Sequence, residues 1–160
     1  MELFLICVSF LALTAGNARS EKPQTPAELE NEYRTLAVEA DRLAAAGDNQ
    51  GAINVIQKLI DNDQLPAKDH AMMTLNKAIL FGKMKNTVGA IESFDKAIAF
   101  NVPEIKSFLL VNKAVYLNGI GRPQESISIF KSLLKEKNIS AQDKEKIKSN
   151  IAAIEQSIKK

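Results

Sequence analysis

Apolar residues along this chain recur at spacings of three and four, the period that puts them on one face of a helix. Ala52, Ile53, Ile56, Leu59 and Ile60 form one such stripe. Ile147, Ile151, Ile154 and Ile158 form another, on a segment otherwise covered by Lys, Glu and Gln. Joined to start and stop signals, the pattern predicts helices over about residues 26–46, 50–61, 68–83, 87–100, 104–118 and 123–137. Ser140 begins a last one, with Asp143 as its acidic capping partner. Thr25-Pro26-Ala27-Glu28 is a helix start in which Thr caps, Pro takes the first helical position and Glu completes a capping box. Asn101-Val102-Pro103 is a break, since Pro cannot continue a helix and disfavours helix in the residue before it.

The stripes carry a longer period. Ala40, Ala52 and Ile56 recur as Ala78, Ala90 and Phe94, offset by 38 residues, and again as Ala114, Ser126 and Phe130, offset by 36. Within each copy the spacing is twelve residues and then four. A small residue on each of two helices, with a bulky apolar residue one turn later, describes a pair that crosses closely. Such a unit buries its apolar face only against its neighbours, so copies must stack. The loop from Asn62 to Ala67 accounts for the longer first offset.

These positions resemble the tetratricopeptide repeat, a helix–turn–helix with a W-x2-L-G-x2-Y … A-x3-F … P pattern. The A-x3-F half is present as Ala52-x3-Ile56, Ala90-x3-Phe94 and Ser126-x3-Phe130. The small-x2-bulky half is present as Ala40-x2-Leu43, Ala78-x2-Phe81 and Ala114-x2-Leu117. The turn holds Gly47, Lys85 and Gly121, and the Trp position holds Leu36, Thr74 and Leu110. Pro103 matches the terminal Pro only approximately. Leu75-Asn76-Lys77-Ala78 against Val111-Asn112-Lys113-Ala114 is a further shared phrase, and the resemblance covers roughly residues 33–137. It implies an all-α, right-handed superhelix of three helix pairs over residues 25–139, with residues 140–160 as a C-terminal capping helix. Terminal repeats need such a cap, with a polar outer face.

The resemblance also implies a concave groove lined by the first helix of each pair. Asn76 and Asn112 match a family position where an amide faces the ligand, and the first copy has Val38 there. An amide donates and accepts, which suits the backbone of an extended peptide, and it suits a bond between neighbouring helices equally well. The accompanying positions are Met72, Leu75 and Ile79, then Phe108, Val111 and Val115, so the expected partner is an apolar peptide or amphipathic helix. A second copy or the extra N-terminal turns could fill the same groove. Family members that clamp a C-terminal carboxylate use basic residues, but here the matching positions hold Ala37, Asp41, Phe108 and Asn112. That clamp is therefore not expected.

The N-terminus points to export. Leu3 to Ala15 is an apolar run of signal-peptide length, and Gly16-Asn17-Ala18 supplies a small-x-small cleavage pattern, giving a cut after Ala18. Residues 19–24 then form a polar linker. The leading Met1-Glu2 lacks Lys and Arg, so an uncleaved anchor is the alternative, making the protein a membrane-tethered accessory subunit. Cys7, the only Cys, lies inside this segment, and a mature chain has no disulfide. Asn138-Ile139-Ser140 matches a glycosylation sequon, but Asn138 is expected to end one helix and Ser140 to cap the next.

At 160 residues the length suits one domain, and 46% hydrophobic residues suffice for a core. A net charge of +2 argues against nucleic acid as the main partner, which needs clustered cations. Charge is nevertheless uneven. Glu21–Gln64 carries nine acids and four bases, and Lys131–Lys160 eight Lys and four acids, which is expected of solvated outer faces, with head-to-tail association of the two ends as the alternative. His70 is the only His and is expected to be a solvated residue near a helix start. No zinc spacing, nucleophile motif or glycine-rich phosphate loop occurs, so neither catalysis, a metal nor a cofactor is expected. The sequence reads as a protein–protein binding module or scaffold of a secreted or periplasmic assembly.

Overall fold

The computed structural model describes residues 25–62 and 64–159. The expected signal segment 1–18, the linker 19–24 and Cys7 lie outside the described residues. Seven helices follow in order: α1 (Pro26–Ala45), α2 (Asn49–Ile60), α3 (Ala67–Lys83), α4 (Thr87–Ala99), α5 (Pro103–Gly119), α6 (Pro123–Leu133) and α7 (Ala141–Ile158). The described residues contain no strand, and the fold is all-α. Whereas the length suits one domain, the helices gather into two compact units, one reaching Phe100 and one beginning at Asn101.

The first five helices keep their expected ends to within a residue, but α6 stops at Leu133 and does not reach 137. There the chain leaves the helix through tighter bonds, Lys135 N–H to Ser132 C=O at 3.1 Å and Glu136 N–H to Leu133 C=O at 3.0 Å. Asn138 consequently lies in a turn and does not end a helix. Ser140 does cap α7: its Oγ accepts from the Asp143 N–H at 3.1 Å and donates to the Asp143 carboxylate at 2.6 Å. That bond and nearby Lys146 hold the Asp143 carboxyl below its usual range.

In the first unit α1 packs on α2, α2 on α3 and α3 on α4. Ala40, Ala52, Ile53, Ile56 and Leu80 form its core cluster, lined by Leu43, Met73 and Phe81. In the second unit α5 packs on α6 and α6 on α7. There Ala114, Ile127, Phe130 and Leu133 meet Ile147, Ile151 and Ile154, so the isoleucine stripe of α7 is core. The small residues sit where close crossing requires them: Ala52, Ala78, Ala90, Ala114 and Ser126 are 0% exposed and Ala40 2%.

The helix pairs turn in the same way three times. Gly47, Lys85 and Gly121 all adopt positive φ, at 84°, 59° and 78°. Behind each, the next N–H reaches back to a carbonyl in the last helical turn, Asp48 to Leu43, Asn86 to Phe81 and Arg122 to Leu117, each at 2.9 Å. The turn residues themselves bond to Ala44, Gly82 and Asn118. This is the Schellman pattern, which satisfies carbonyls that a helix end leaves open. The first two turns also cap the following helix, since the Asp48 and Asn86 side chains accept from Gly51 and Gly89 N–H groups at 2.8 and 2.9 Å. Arg122 lacks a side-chain cap bond and instead pairs with Glu125.

Candidate functional site

The expected groove residues fall on α3 and α5, in different units, and each helix presents its own stripe. On α5, Phe108, Val111, Asn112 and Val115 are spaced three, one and three apart, within one face of a helix. Phe108 is 44% and Val115 57% exposed, two large apolar side chains left open two turns apart on this face. Val111 turns inward and packs against the core of its unit. Asn112 is half-buried, and its Nδ2 donates to the Phe108 carbonyl at 2.8 Å. That bond uses one N–H and fixes the amide on the open side, with a carbonyl oxygen and a second N–H still to offer. The arrangement is an apolar stripe with an amide at its centre.

On α3 the expectation is corrected. Met72 and Leu75 are buried, at 9% and 2% exposure, and belong to the interior, not to an open groove. Asn76 and Ile79 are half-buried. The reason is the number of neighbours: α3 lies against both α2 and α4, and six of its residues are buried. Three are buried on α5. Val38, the first-copy counterpart of the two asparagines, is 63% exposed. One turn on, Asp41 is half-buried with an Oδ1 that lacks a hydrogen-bond partner, and burial raises its pKa. A carboxylate held there opposes, and does not clamp, a ligand carboxylate.

His70 is not the solvated residue expected from its place in the sequence. Its ring stacks on Phe100 with centroids 5.4 Å apart, and its Nδ1 is buried without a hydrogen-bond partner. Nothing in its position marks it as a helix-start residue with a stacked, half-buried ring, because Phe100 lies thirty residues away in sequence. Two acids of the first helix pair locally, Glu30 with Arg34 at 3.1 Å and Glu39 with Arg42 at 2.7 Å. Among the described residues no cluster of His, Cys, Asp or Glu could hold a metal ion, and no helix is long and apolar enough to cross a membrane.

A cavity on which the sequence reading is silent lies on the far side of α3, around Lys77. Its signal was present in the chain, as a threonine at the repeat position that holds leucine in the other two copies. No protein-family model matches the chain, and no curated protein matches it.

Proposed function

We propose that this chain is a non-catalytic binding module built from three helix pairs of tetratricopeptide type, with α7 as the cap, acting as a scaffold in a secreted or periplasmic assembly. Its partner is a protein, held through a peptide or amphipathic helix. The observation that supports this reading is the exposed stripe of Phe108 and Val115 with Asn112 between them. An apolar stripe at helical spacing suits the anchor residues of a helical ligand, and the amide suits its backbone. Full burial of such a side chain is worth about 1.5–3 kcal/mol, and these two are already about half covered, so each can add roughly half of that.

The test compares the wild-type chain with the Phe108→Ser/Val115→Ser double variant in affinity capture from the native host. A partner retained by the wild type and lost by the variant, at unchanged melting temperature, supports the assignment. Identical partners on both remove the stripe from it. Sedimentation of the purified chain distinguishes a second copy as the occupant. An N-terminus at Arg19 on the mature protein supports export with cleavage, and an intact Met1 supports the membrane-tethered alternative.

A further inference from the structure

Thr74 stands on α3 where the first and third copies carry Leu36 and Leu110. The shorter polar side chain leaves space where α2, α3 and α4 meet, and a cavity of about 390 Å³ lies there. Its α3 lining is Thr74, Lys77 and Phe81, a stripe at spacings of three and four. At about 100° per residue this stripe lies opposite Met72 and Ile79 on the same helix. The cavity is therefore separate from the face considered for partner binding, and either reading can fail without the other.

Its polar groups converge. The Lys77 ammonium donates to Gln57 Oε1 at 2.5 Å and stands 5.7 Å from the centroid of the Phe81 ring. Two further N–H groups on that ammonium are left to serve a ligand. Lys96 of α4 contributes a second cation to the lining, and Thr74 and Ser93, 5% and 4% exposed, contribute hydroxyls. Burial, reinforced by the charge of Lys96, holds the Lys77 pKa below its usual value, with Asp61 acting in the opposite direction. An anion between the two lysines would offset the repulsion between them. Glu92 is the one carboxylate of the lining, and it lies one turn before Lys96 on α4. Asn86 adds a side-chain amide, and the apolar part of the wall is Ile60, the Phe81 ring and Val88, which is 67% exposed at the rim. Gly89 keeps this wall close, since a Cβ there would come within 3.0 Å of the Phe81 ring.

We propose that this cavity binds an organic carboxylate with a short apolar body, the carboxylate held by Lys77 and Lys96 and the body against Phe81, Ile60 and Val88. The volume lies at the small end of the range for small-molecule pockets, roughly 300–1,000 Å³. The same chemistry is offered by a free acid and by the C-terminus of a peptide.

The experiment follows lysine side-chain and backbone amide NMR signals of the full chain during titration with two probes, phenylacetate and N-acetyl-glycyl-phenylalanine. Phenylacetamide is the neutral control. The expected result is saturable movement of the Lys77 and Lys96 signals below about 10 mM acid, no movement with the amide, and an affinity at least about tenfold weaker in Thr74→Leu and in Lys77→Met. Thr74→Leu restores the residue of the other two copies and is expected to fill the cavity and raise the melting temperature, so its loss of binding would not reflect unfolding. Tighter binding of the dipeptide identifies a peptide end as ligand, and tighter binding of phenylacetate identifies a free acid. Absence of saturable movement with both acids, equal movement with phenylacetamide, or undiminished binding by a folded Thr74→Leu overturns the proposal.

Discussion

The second helix pair, α3 with α4, and the third, α5 with α6, start from one plan and depart from it at different points. Both put alanine at the first crossing, a positive-φ residue seven positions later and a bulky aromatic nine positions beyond that. The second pair fills its crossing cleanly, with Ala90 at 0% exposure, but accepts Thr74 in its interior, a half-buried Lys77 beside it and Lys85 in its turn. The third has Leu110 and Gly121 at the first and last of those places, but buries a Ser126 hydroxyl without a hydrogen-bond partner. On the opposite side of the first helix the contrast reverses: Met72 and Leu75 are interior, and Phe108 and Val115 are exposed. A repeat thus fixes where a residue stands, while the neighbours decide whether that place is core or surface.

The sharpest break of this comparison is a pair of truncations, one at a buried position of α3 and one at an exposed position of α5. Leu75→Ala is expected to lower stability by about 2–5 kcal/mol, through lost burial and a cavity. Val115→Ala should stay within about 0.5 kcal/mol, as an exposed substitution does. Urea unfolding of both variants measures the difference, and equal losses would mean that the two helices are equally buried in solution.

Ser126→Ala comes next. It copies the second pair into the third, removes a hydroxyl that burial leaves unsatisfied, and should stabilise by about 1 kcal/mol. A destabilised variant would show that the hydroxyl has found a partner. The asparagines then test which face binds. Asn112→Ala is expected to weaken the captured partner by about 0.5–1.5 kcal/mol, up to roughly tenfold, at constant melting temperature. Asn76→Ala should leave the affinity at its wild-type value. Comparable losses from both would extend the binding surface onto α3.

How much of this could be read in the chain divides along the same line. The seven helices, the small residues at the crossings and the isoleucine face of α7 were legible, because each follows from local period and capping chemistry. So was the equivalence of Gly47, Lys85 and Gly121, since only spacing was needed. The interior placement of Met72 and Leu75 was not legible, because it depends on the helices lying on either side of α3. His70 against Phe100 escaped for the same reason. The Lys77 cavity was half-legible: Thr74 stood out at a leucine position, but which groups converge there follows from the packing of three helices. The early end of α6 escaped because Leu134 to Lys137 contains no Gly or Pro to announce it.

Lys85→Gly sharpens the turn comparison. A left-handed conformation costs a side-chain-bearing residue about 1–2 kcal/mol, partly offset by the greater chain entropy that glycine loses on folding. A gain of about 0.5–1 kcal/mol is therefore expected in chemical unfolding, and none if the Lys85 φ relaxes in solution. The smallest effect is one of pH. The folded pKa of Lys77 is lowered from the usual 10.5 by burial and by Lys96, so the charged form is disfavoured in the fold. Between that lowered value and 10.5 the unfolded chain holds more protons, and stability contributed by this group rises with pH across the window. Below the window the penalty is complete and constant. Measured against Lys77→Met, the wild type should gain ground from neutral to alkaline pH, and a flat difference would show that the ammonium is well solvated.

The three Schellman turns also govern where this chain tolerates changes of length. From the small residue of the first helix to the positive-φ residue is seven positions in every pair, and from there to the small residue of the second helix is five. Only the stretch between pairs differs, six residues from 61 to 66 against three from 100 to 102. Each hairpin is therefore a rigid cassette, and the connectors are its adjustable joints. A tag or graft placed beside Gly47, Lys85 or Gly121 would shift one helix's small residues out of step with its partner's. One placed between Asn62 and Pro66 would pass along the chain as slack.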